Sequence, residues 1–232
     1  HDKGPSGILL SLERMNKIRS LNSDENVITV EAGVILSNLR DAAEEAQRIF
    51  PLSLASEGTA QIGGNLATNA GGINVLRYGS TRNLCLGLEV VFADGSIWNS
   101  LSRLHKDNTG YDLKNLIIGS EGTLGIITAA TMKLFPKPLE HTVALIAVKS
   151  PKEALKLLSE TKDYFGETIS AFELINKMGI LFLKETGLNF KFPLSAIPEW
   201  MVLLEIGHSV RFGTEKNIND FIENILSGSL AL

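Results

Sequence analysis

Between residues 53 and 87 the chain carries seven glycines, at positions 58, 63, 64, 71, 72, 79 and 87, with no sustained helical or strand period around them. So long an irregular stretch is rare in a compact domain unless it serves a function. Its centre is Glu57-Gly58-Thr59-Ala60-Gln61-Ile62-Gly63-Gly64-Asn65-Leu66-Ala67-Thr68-Asn69-Ala70-Gly71-Gly72, in which two glycine pairs are spaced eight residues apart. Glycine lets backbone N–H groups approach a flat or anionic ligand that Cβ atoms would hold away. Asn65, Thr68 and Asn69 add short donors and acceptors. The segment lacks the Gly-Lys-Ser/Thr of a Walker loop and the Gly-x-Gly-x-x-Gly spacing of a Rossmann turn. It holds no nucleophile–base pair and no metal cage. On residue chemistry alone it reads either as a cofactor loop or as a tight structural loop.

The surrounding pattern is mixed α and β. Ile8-Leu9-Leu10-Ser11-Leu12 reads as a short buried strand and Val27–Glu31 as a second, with the polar turn Asn22–Asn26 between them. Apolar residues at 35, 39, 42, 43, 46, 49 and 50 predict an amphipathic helix over 35–50, closed by Pro51. Leu88–Phe92, the turn pair Asp94-Gly95 and Ser96–Trp98 predict a hairpin. A short helix is expected over 113–118, and a strand over 126–135 after the glycines at 119, 122 and 125.

Pro136 and Pro138 mark a domain boundary, giving expected domains of 1–137 and 138–232. Beyond it, strands at 143–148, 169–174 and 201–206 alternate with helices at 151–165, 177–184 and 214–226. Ser150-Pro151-Lys152-Glu153 is a capping box with proline at the first helical position. The fold class expected is α+β, the second domain being part of a ferredoxin-like layer.

Composition narrows the function. The chain is 44% hydrophobic and 21% charged, with a net charge of -4. Those values describe an ordinary globular protein and a poor match for a nucleic-acid binder. No apolar run approaches the length of roughly 20 residues that crosses a bilayer. One cysteine, Cys85, excludes an internal disulfide and a Cys-only iron–sulfur cluster, and in Leu84-Cys85-Leu86 it reads as a buried inert thiol. The four histidines show no metal-ligand spacing, so no metal site is expected and electron chemistry would need an organic cofactor.

Several ordered stretches resemble the FAD-linked oxidases with the vanillyl-alcohol-oxidase (PCMH-type) fold. They are Ile62–Gly72, Leu76-Arg77-Tyr78-Gly79, Leu86–Val91, Ala93-Asp94-Gly95, Asp107–Lys114 and Ile118–Thr128. Leu10–Ile18 and Pro51–Gly58 look most like the D-2-hydroxyglutarate dehydrogenase branch, with glycolate oxidase subunits and D-lactate dehydrogenases as near relatives. The resemblance is dense from Ile8 to Pro138 and thinner afterwards, although Ser170-Ala171-Phe172-Glu173 also fits.

The resemblance implies FAD as cofactor and oxidation of a D-2-hydroxy acid, of 2-hydroxyglutarate or lactate type, to the 2-oxo acid by hydride transfer to flavin. Its cofactor residues would be Ile62, Gly63, Gly64, Asn65, Thr68, Asn69, Gly71, Gly72, Glu121, Gly122, Gly125, Ile126 and Ile127. Gly63, Gly64 and Asn65 would approach the flavin and ribityl chain through the backbone, and Gly122, Gly125, Ile126 and Ile127 would cover the adenine–ribose side. Arg77 is a candidate for the substrate carboxylate, because a guanidinium grips one with two parallel bonds; it reads equally as a brace for loop carbonyls or as a solvent-exposed residue, as does Arg82. Glu57 and Glu121 read as structural or cofactor-ribose residues, and His208 as a surface residue.

An electron acceptor, homodimer formation, and a bacterial cytoplasmic or mitochondrial matrix location complete the family expectation. Family members also carry a Pro-x-Gly-Gly-type pyrophosphate loop ahead of this region and a His-x-His-x-Gly-Asp-Gly-Asn segment behind it. Neither is found here, so a truncated FAD-binding domain with weak autonomous cofactor binding is expected, a non-catalytic scaffold fragment being the alternative.

Overall fold

The computed structural model describes residues 7–188, 190–208 and 220. The chain divides into two compact units, one of residues up to Gly72 and Gly79–Pro136, the other of Ile73–Tyr78 and the residues from Lys137 onward.

The first unit holds strands β1 (Ile18–Asn22), β2 (Val27–Glu31), β3 (Arg48–Ile49), β4 (Cys85–Val91), β5 (Ile97–Ser100), β6 (Ile126–Lys133) and β7 (Phe135–Pro136). Its helices are α1 (Leu36–Glu45), α2 (Ile62–Ala67), α4 (Thr81–Leu84) and α5 (Leu113–Ile117); the intervening α3 (Val75–Tyr78) belongs to the other unit. Five strands form an antiparallel sheet in the order β1-β2-β6-β4-β5, and β3 pairs with β7. β2 and β6 are buried along nearly their whole length, which is why Val27–Val30 and Ile127–Ala130 read as continuous apolar or small-residue runs rather than alternating ones. Ile28, Leu36, Leu39, Ile62, Leu66, Leu88 and Met132 lie in the core. Burying each such side chain stabilises the fold by about 1.5–3 kcal/mol.

Two expectations fail here. Ile8–Leu12 forms no strand, and Ile8 and Leu9 are each 95% exposed. The edge strand is instead Ile18–Asn22, whose polar Ile-Arg-Ser-Leu-Asn pattern conceals it. A tight turn fixes its pairing with β2: the Asn22 side chain accepts from the amides of Asp24 and Glu25, and Asn26 takes a positive φ of 54°. The helix expected over 35–50 stops at Glu45, because Gln47 turns left-handed (φ 56°) and Arg48–Ile49 are recruited by β7. Arg48 secures that exit, donating to Asn26 Oδ1 at 2.6 Å and to the Ser23 carbonyl at 2.8 Å. The 53–87 stretch, irregular by pattern, also contains two short helices of this unit, α2 and α4.

The second unit holds α3, β8 (Glu140–Val148), α6 (Pro151–Phe165), β9 (Ile169–Asn176), α7 (Lys177–Glu185) and β10 (Trp200–His208). β10 lies between β8 and β9 and runs antiparallel to both, so β8 and β9 are parallel and joined through α6: a split β-α-β arrangement. Ser150 caps α6 by accepting from the Glu153 amide, Glu153 reaches back to the Lys149 amide, and Gly166 ends the helix. Leu157 and Ala154 of α6 pack with Val148, Ile169, Val202, Leu204 and Ile206 of the sheet. The helix expected over 214–226 lies outside the described residues, save Asp220, which is helical.

Candidate functional site

The glycine-rich segment is placed from β2 outward. The turn after β2 presents the carbonyls of Ala32 and Val34, which accept from the amides of Gly63 (2.7 Å) and Ile62 (2.9 Å) and so seat the first turn of α2. At Gly63 this contact is so close that a Cβ would lie 2.7 Å from Ala32 Cβ. At Gly64, the next residue, a Cβ would meet nothing within 4 Å. Two adjacent glycines thus serve different ends, one close packing and the other open space.

Past α2 the chain turns sharply. Thr68 returns its hydroxyl to the Gly64 carbonyl at 2.9 Å, and Asn69 adopts a left-handed φ of 48°. The Asn69 side-chain oxygen accepts from Ser80 Oγ (2.9 Å) and the Arg82 amide (3.0 Å), which fastens α4 to the loop. Arg82 in turn donates to the carbonyls of Asn115 and Ile118 at the end of α5. The bracing alternative is the one its geometry supports.

That clamp presents the second glycine cluster to the first. Gly119, Glu121 and Gly122 have φ values of 83°, 51° and 78°. The Gly119 amide donates to the Leu66 carbonyl and the Glu121 amide to the Ala67 carbonyl, both at 3.0 Å. Between the two clusters lies a cavity of about 430 Å³. Gln61, Gly63, Gly64 and Ala67 line it on one side, and Ser120, Glu121, Gly122, Gly125, Ile126 and Ile127 on the other. Leu9, Leu10, Ser11, Leu12 and Glu13 complete the wall. Its charged lining residues, among the described ones, are two glutamates, Glu13 and Glu121.

Seven of the residues singled out in sequence therefore share one cavity: Gly63, Gly64, Glu121, Gly122, Gly125, Ile126 and Ile127. The others stand outside its lining. Ile62 is fully buried in the core. Thr68 and Asn69 shape the turn, and Gly71 follows in the same loop. Gly72 (φ 118°) is required where a Cβ would overlap the Ser53 carbonyl oxygen. Asn65 is 5% exposed, and its Nδ2 is a buried donor without a partner among the described residues. The sequence pattern does not single out Leu9, Leu10, Leu12, Gln61 or Ser120 as lining residues; the apolar run at 8–12 is legible, but it reads as a core strand.

Arg77 lies in the second unit, where its Nη1 donates to the Gly207 carbonyl at 2.8 Å, with Ser170 Oγ at 3.3 Å and the Thr168 carbonyl at 3.4 Å. Its guanidinium sits 5.0 Å from the Tyr78 ring centroid, within cation–π range. These contacts make it a brace between α3 and the strands beneath. Glu57 pairs with Arg40. Cys85 is buried, its thiol pushed up to about 12 by burial. Among the described residues no three His, Cys, Asp or Glu side chains gather as metal ligands, and no helix is long and apolar enough to cross a membrane.

Comparison with known proteins bears on the class of the chain. Residues 2–100 match the family described as FAD binding domain. A solved structure titled p-cresol methylhydroxylase with substrate bound shares the fold, with a TM-score of 0.70 at 17% identity over 91% of this chain and 45% of that one. The chain thus carries a match to an FAD-binding domain over residues 2–100 and has the PCMH-type fold; FAD is the cofactor of that domain family.

The chain is similar to D-2-hydroxyglutarate dehydrogenase, mitochondrial, of Danio rerio, at 41% identity over 223 residues. It is also similar to a putative mitochondrial D-lactate dehydrogenase of Schizosaccharomyces pombe, at 40% over 220 residues. These alignments take in 96% and 94% of this chain but 42% and 41% of the relatives, so the chain spans less than half the length of each.

Proposed function

We propose that this chain supplies the cofactor-holding part of an FAD-dependent dehydrogenase that oxidises a D-2-hydroxy acid, of 2-hydroxyglutarate or lactate type, to the 2-oxo acid. The observation that carries the reading is the cavity lined by Gly63 and Gly64 together with Gly122, Gly125, Ile126 and Ile127. At both Gly64 and Gly122 an added Cβ would meet nothing within 4 Å, so the backbone there is open to a ligand face. The relatives named for D-2-hydroxyglutarate and D-lactate support the substrate class.

In this reading residues 1–137 are the FAD-binding domain and 138–232 part of the substrate-facing domain. FAD, when bound, supplies the two-electron acceptor for the hydride on C2 of the hydroxy acid. The chain's own residues bind and orient. Gly63, Asn69 and Arg82 hold the two glycine clusters at a fixed separation, while Gly64 and Gly122 admit the cofactor. An electron acceptor and a second copy of the chain are the partners proposed for the whole protein, and the mitochondrial matrix its location, in line with the relatives' names.

The test is a titration of the chain with FAD followed by flavin fluorescence, then addition of D-2-hydroxyglutarate or D-lactate without oxygen. Weak but saturable quenching is expected of the chain, and bleaching of the visible flavin band of the whole protein that contains it. A chain that quenches no flavin fluorescence at any concentration overturns the reading. A chain that binds FAD and keeps its full colour with both acids is a scaffold rather than a catalyst.

A further inference from the structure

The sheet of the second unit has two unlike faces. Val202, Leu204 and Ile206 of β10 pack under α6, so by the two-residue period of a strand Glu205 and Gly207 belong to the opposite face. The β8 residue paired with Gly207 is His141. Its Nδ1 lies 3.2 Å from Glu205 Oε1, and its side chain is 47% exposed. A carboxylate accepts from a neutral imidazole at the nitrogen that carries the proton. Glu205 therefore sets the proton on Nδ1 and leaves Nε2 as a lone-pair acceptor. Among the described residues Nε2 has no hydrogen-bond partner.

Arg77 reaches the same place from α3. A Cβ built on Gly207 would lie 2.8 Å from Arg77 Nη1 and 3.5 Å from His141 Cε1, so the guanidinium and the ring stand around one spot that carries no side chain. The acceptors that Nη1 meets are the carbonyls of Gly207 and Thr168 and the hydroxyl of Ser170, all of them neutral. Bracing thus occupies one nitrogen of three. Nε and Nη2 bond to no acceptor among the described residues, and the Tyr78 ring backs the guanidinium plane. A guanidinium with neutral partners keeps its charge available for a carboxylate.

The two groups complement different atoms of one small molecule. A 2-hydroxy acid carries a carboxylate and, on the next carbon, a hydroxyl that donates a hydrogen bond. The same acid without its hydroxyl offers the carboxylate alone. We infer that Arg77 and His141 form a recognition site for a 2-hydroxy acid, in which Arg77 takes the carboxylate through its Nε–Nη2 edge and His141, held by Glu205, accepts from the C2 hydroxyl. The inference deepens the dehydrogenase reading, on which its choice of ligand rests, by naming the residue that tells the hydroxy acid from its deoxy analogue.

His141 is about half exposed, so its replacement should leave the fold intact and a change in binding reports on the ligand. The chain and its His141→Leu variant are titrated by calorimetry with D-2-hydroxyglutarate and glutarate, and with D-lactate and propionate. At least one hydroxy acid should bind the parent chain about three- to tenfold more tightly than its deoxy partner, as one added hydrogen bond provides. His141→Leu should abolish that preference while leaving the affinity for the deoxy acid and the urea midpoint unchanged. No binding of either hydroxy acid, equal affinity within both pairs in the parent chain, or an unchanged preference in His141→Leu overturns the inference. FAD titration of the same chain is read separately. A chain that quenches flavin fluorescence without preferring hydroxy acids loses this site and keeps the cofactor reading. A chain that prefers hydroxy acids and quenches no flavin keeps this site and loses that reading.

Discussion

The amide of Glu121 donates to the carbonyl of Ala67 at 3.0 Å, joining two glycine-rich segments that lie far apart in sequence. Glu121 makes this bond from a left-handed conformation, with φ at 51°. Such a conformation costs a residue with a Cβ about 1 kcal/mol or more. Together with Gly119 on Leu66, the bond sets the width of the cavity.

The two glycines of α2 allow that width to be tested from inside. Gly64→Leu fills open space and replaces a helical glycine. Folding stability should therefore hold or rise by about 0.5 kcal/mol. FAD affinity should fall at least tenfold in the same protein. Gly63→Ala should do the opposite, because its Cβ overpacks against Ala32. Overpacking of that kind costs about 1–3 kcal/mol. Urea denaturation and flavin titration on both variants check the contrast. A Gly64→Leu protein that binds FAD normally would place the cofactor elsewhere.

Arg77 supplies a second test. Arg77→Ala removes the donor to the Gly207 carbonyl and leaves that group short of a charged partner. The second unit should lose about 1–3 kcal/mol. Trp200 of β10 packs beside that unit's core, and its fluorescence would follow the transition. Arg77→Lys should recover only part of the loss, because an ammonium cannot reproduce the planar fork. Amide exchange across 73–78 should quicken in Arg77→Ala while α6 stays protected. Unchanged stability and exchange would return Arg77 to the role of a substrate-carboxylate ligand.

Where local chemistry decides the conformation, it is readable. The Ser150 cap, the Asp94-Gly95 hairpin and the Gly166 stop depend on neighbours within a few residues, and each stands where the pattern puts it. Where pairing at long range decides, pattern fails. Ile49 continues the helical period of α1 yet pairs with Phe135, and Ile18–Asn22 is a strand because β2 is beside it, not because of its own residues. The same division runs through the site. Glycines announce the cavity, but which of them opens it depends on whether Ala32 is opposite, as at Gly63, or nothing is, as at Gly64. Leu9 and Leu10 have the composition of a core strand, and only their placement on a cavity wall gives them another use.

Cys85 should be silent. Burial pushes its thiol up to about 12, and its Sγ–H donates to the Gly87 carbonyl at 3.4 Å. Since the thiolate is the reactive form, an aromatic disulfide reagent at mildly alkaline pH should leave the folded chain unlabelled and modify one thiol per chain once urea unfolds it. Rapid labelling without denaturant would show that the strand carrying Cys85 opens locally.

The sheet carries a pH dependence of its own. Arg19 meets both oxygens of Glu89, at 3.0 and 3.1 Å, and Thr128 donates to the same carboxylate at 2.8 Å. The hydrogen bond from Arg19, ahead of the opposing effect of burial and the bond from Thr128, holds Glu89 below the ordinary glutamate range. A carboxylate with a depressed folded pKa adds stability that is fully present above its unfolded value, about 4.3 for glutamate, and is lost as pH falls through the folded value. Urea midpoints of the parent chain should therefore drop as pH falls below that of free glutamate. Glu89→Gln should be less stable at neutral pH and show a shallower fall over the same acid range. Parallel curves for the two proteins would assign the acid sensitivity to other carboxylates and leave the Arg19–Glu89 pair without energetic consequence.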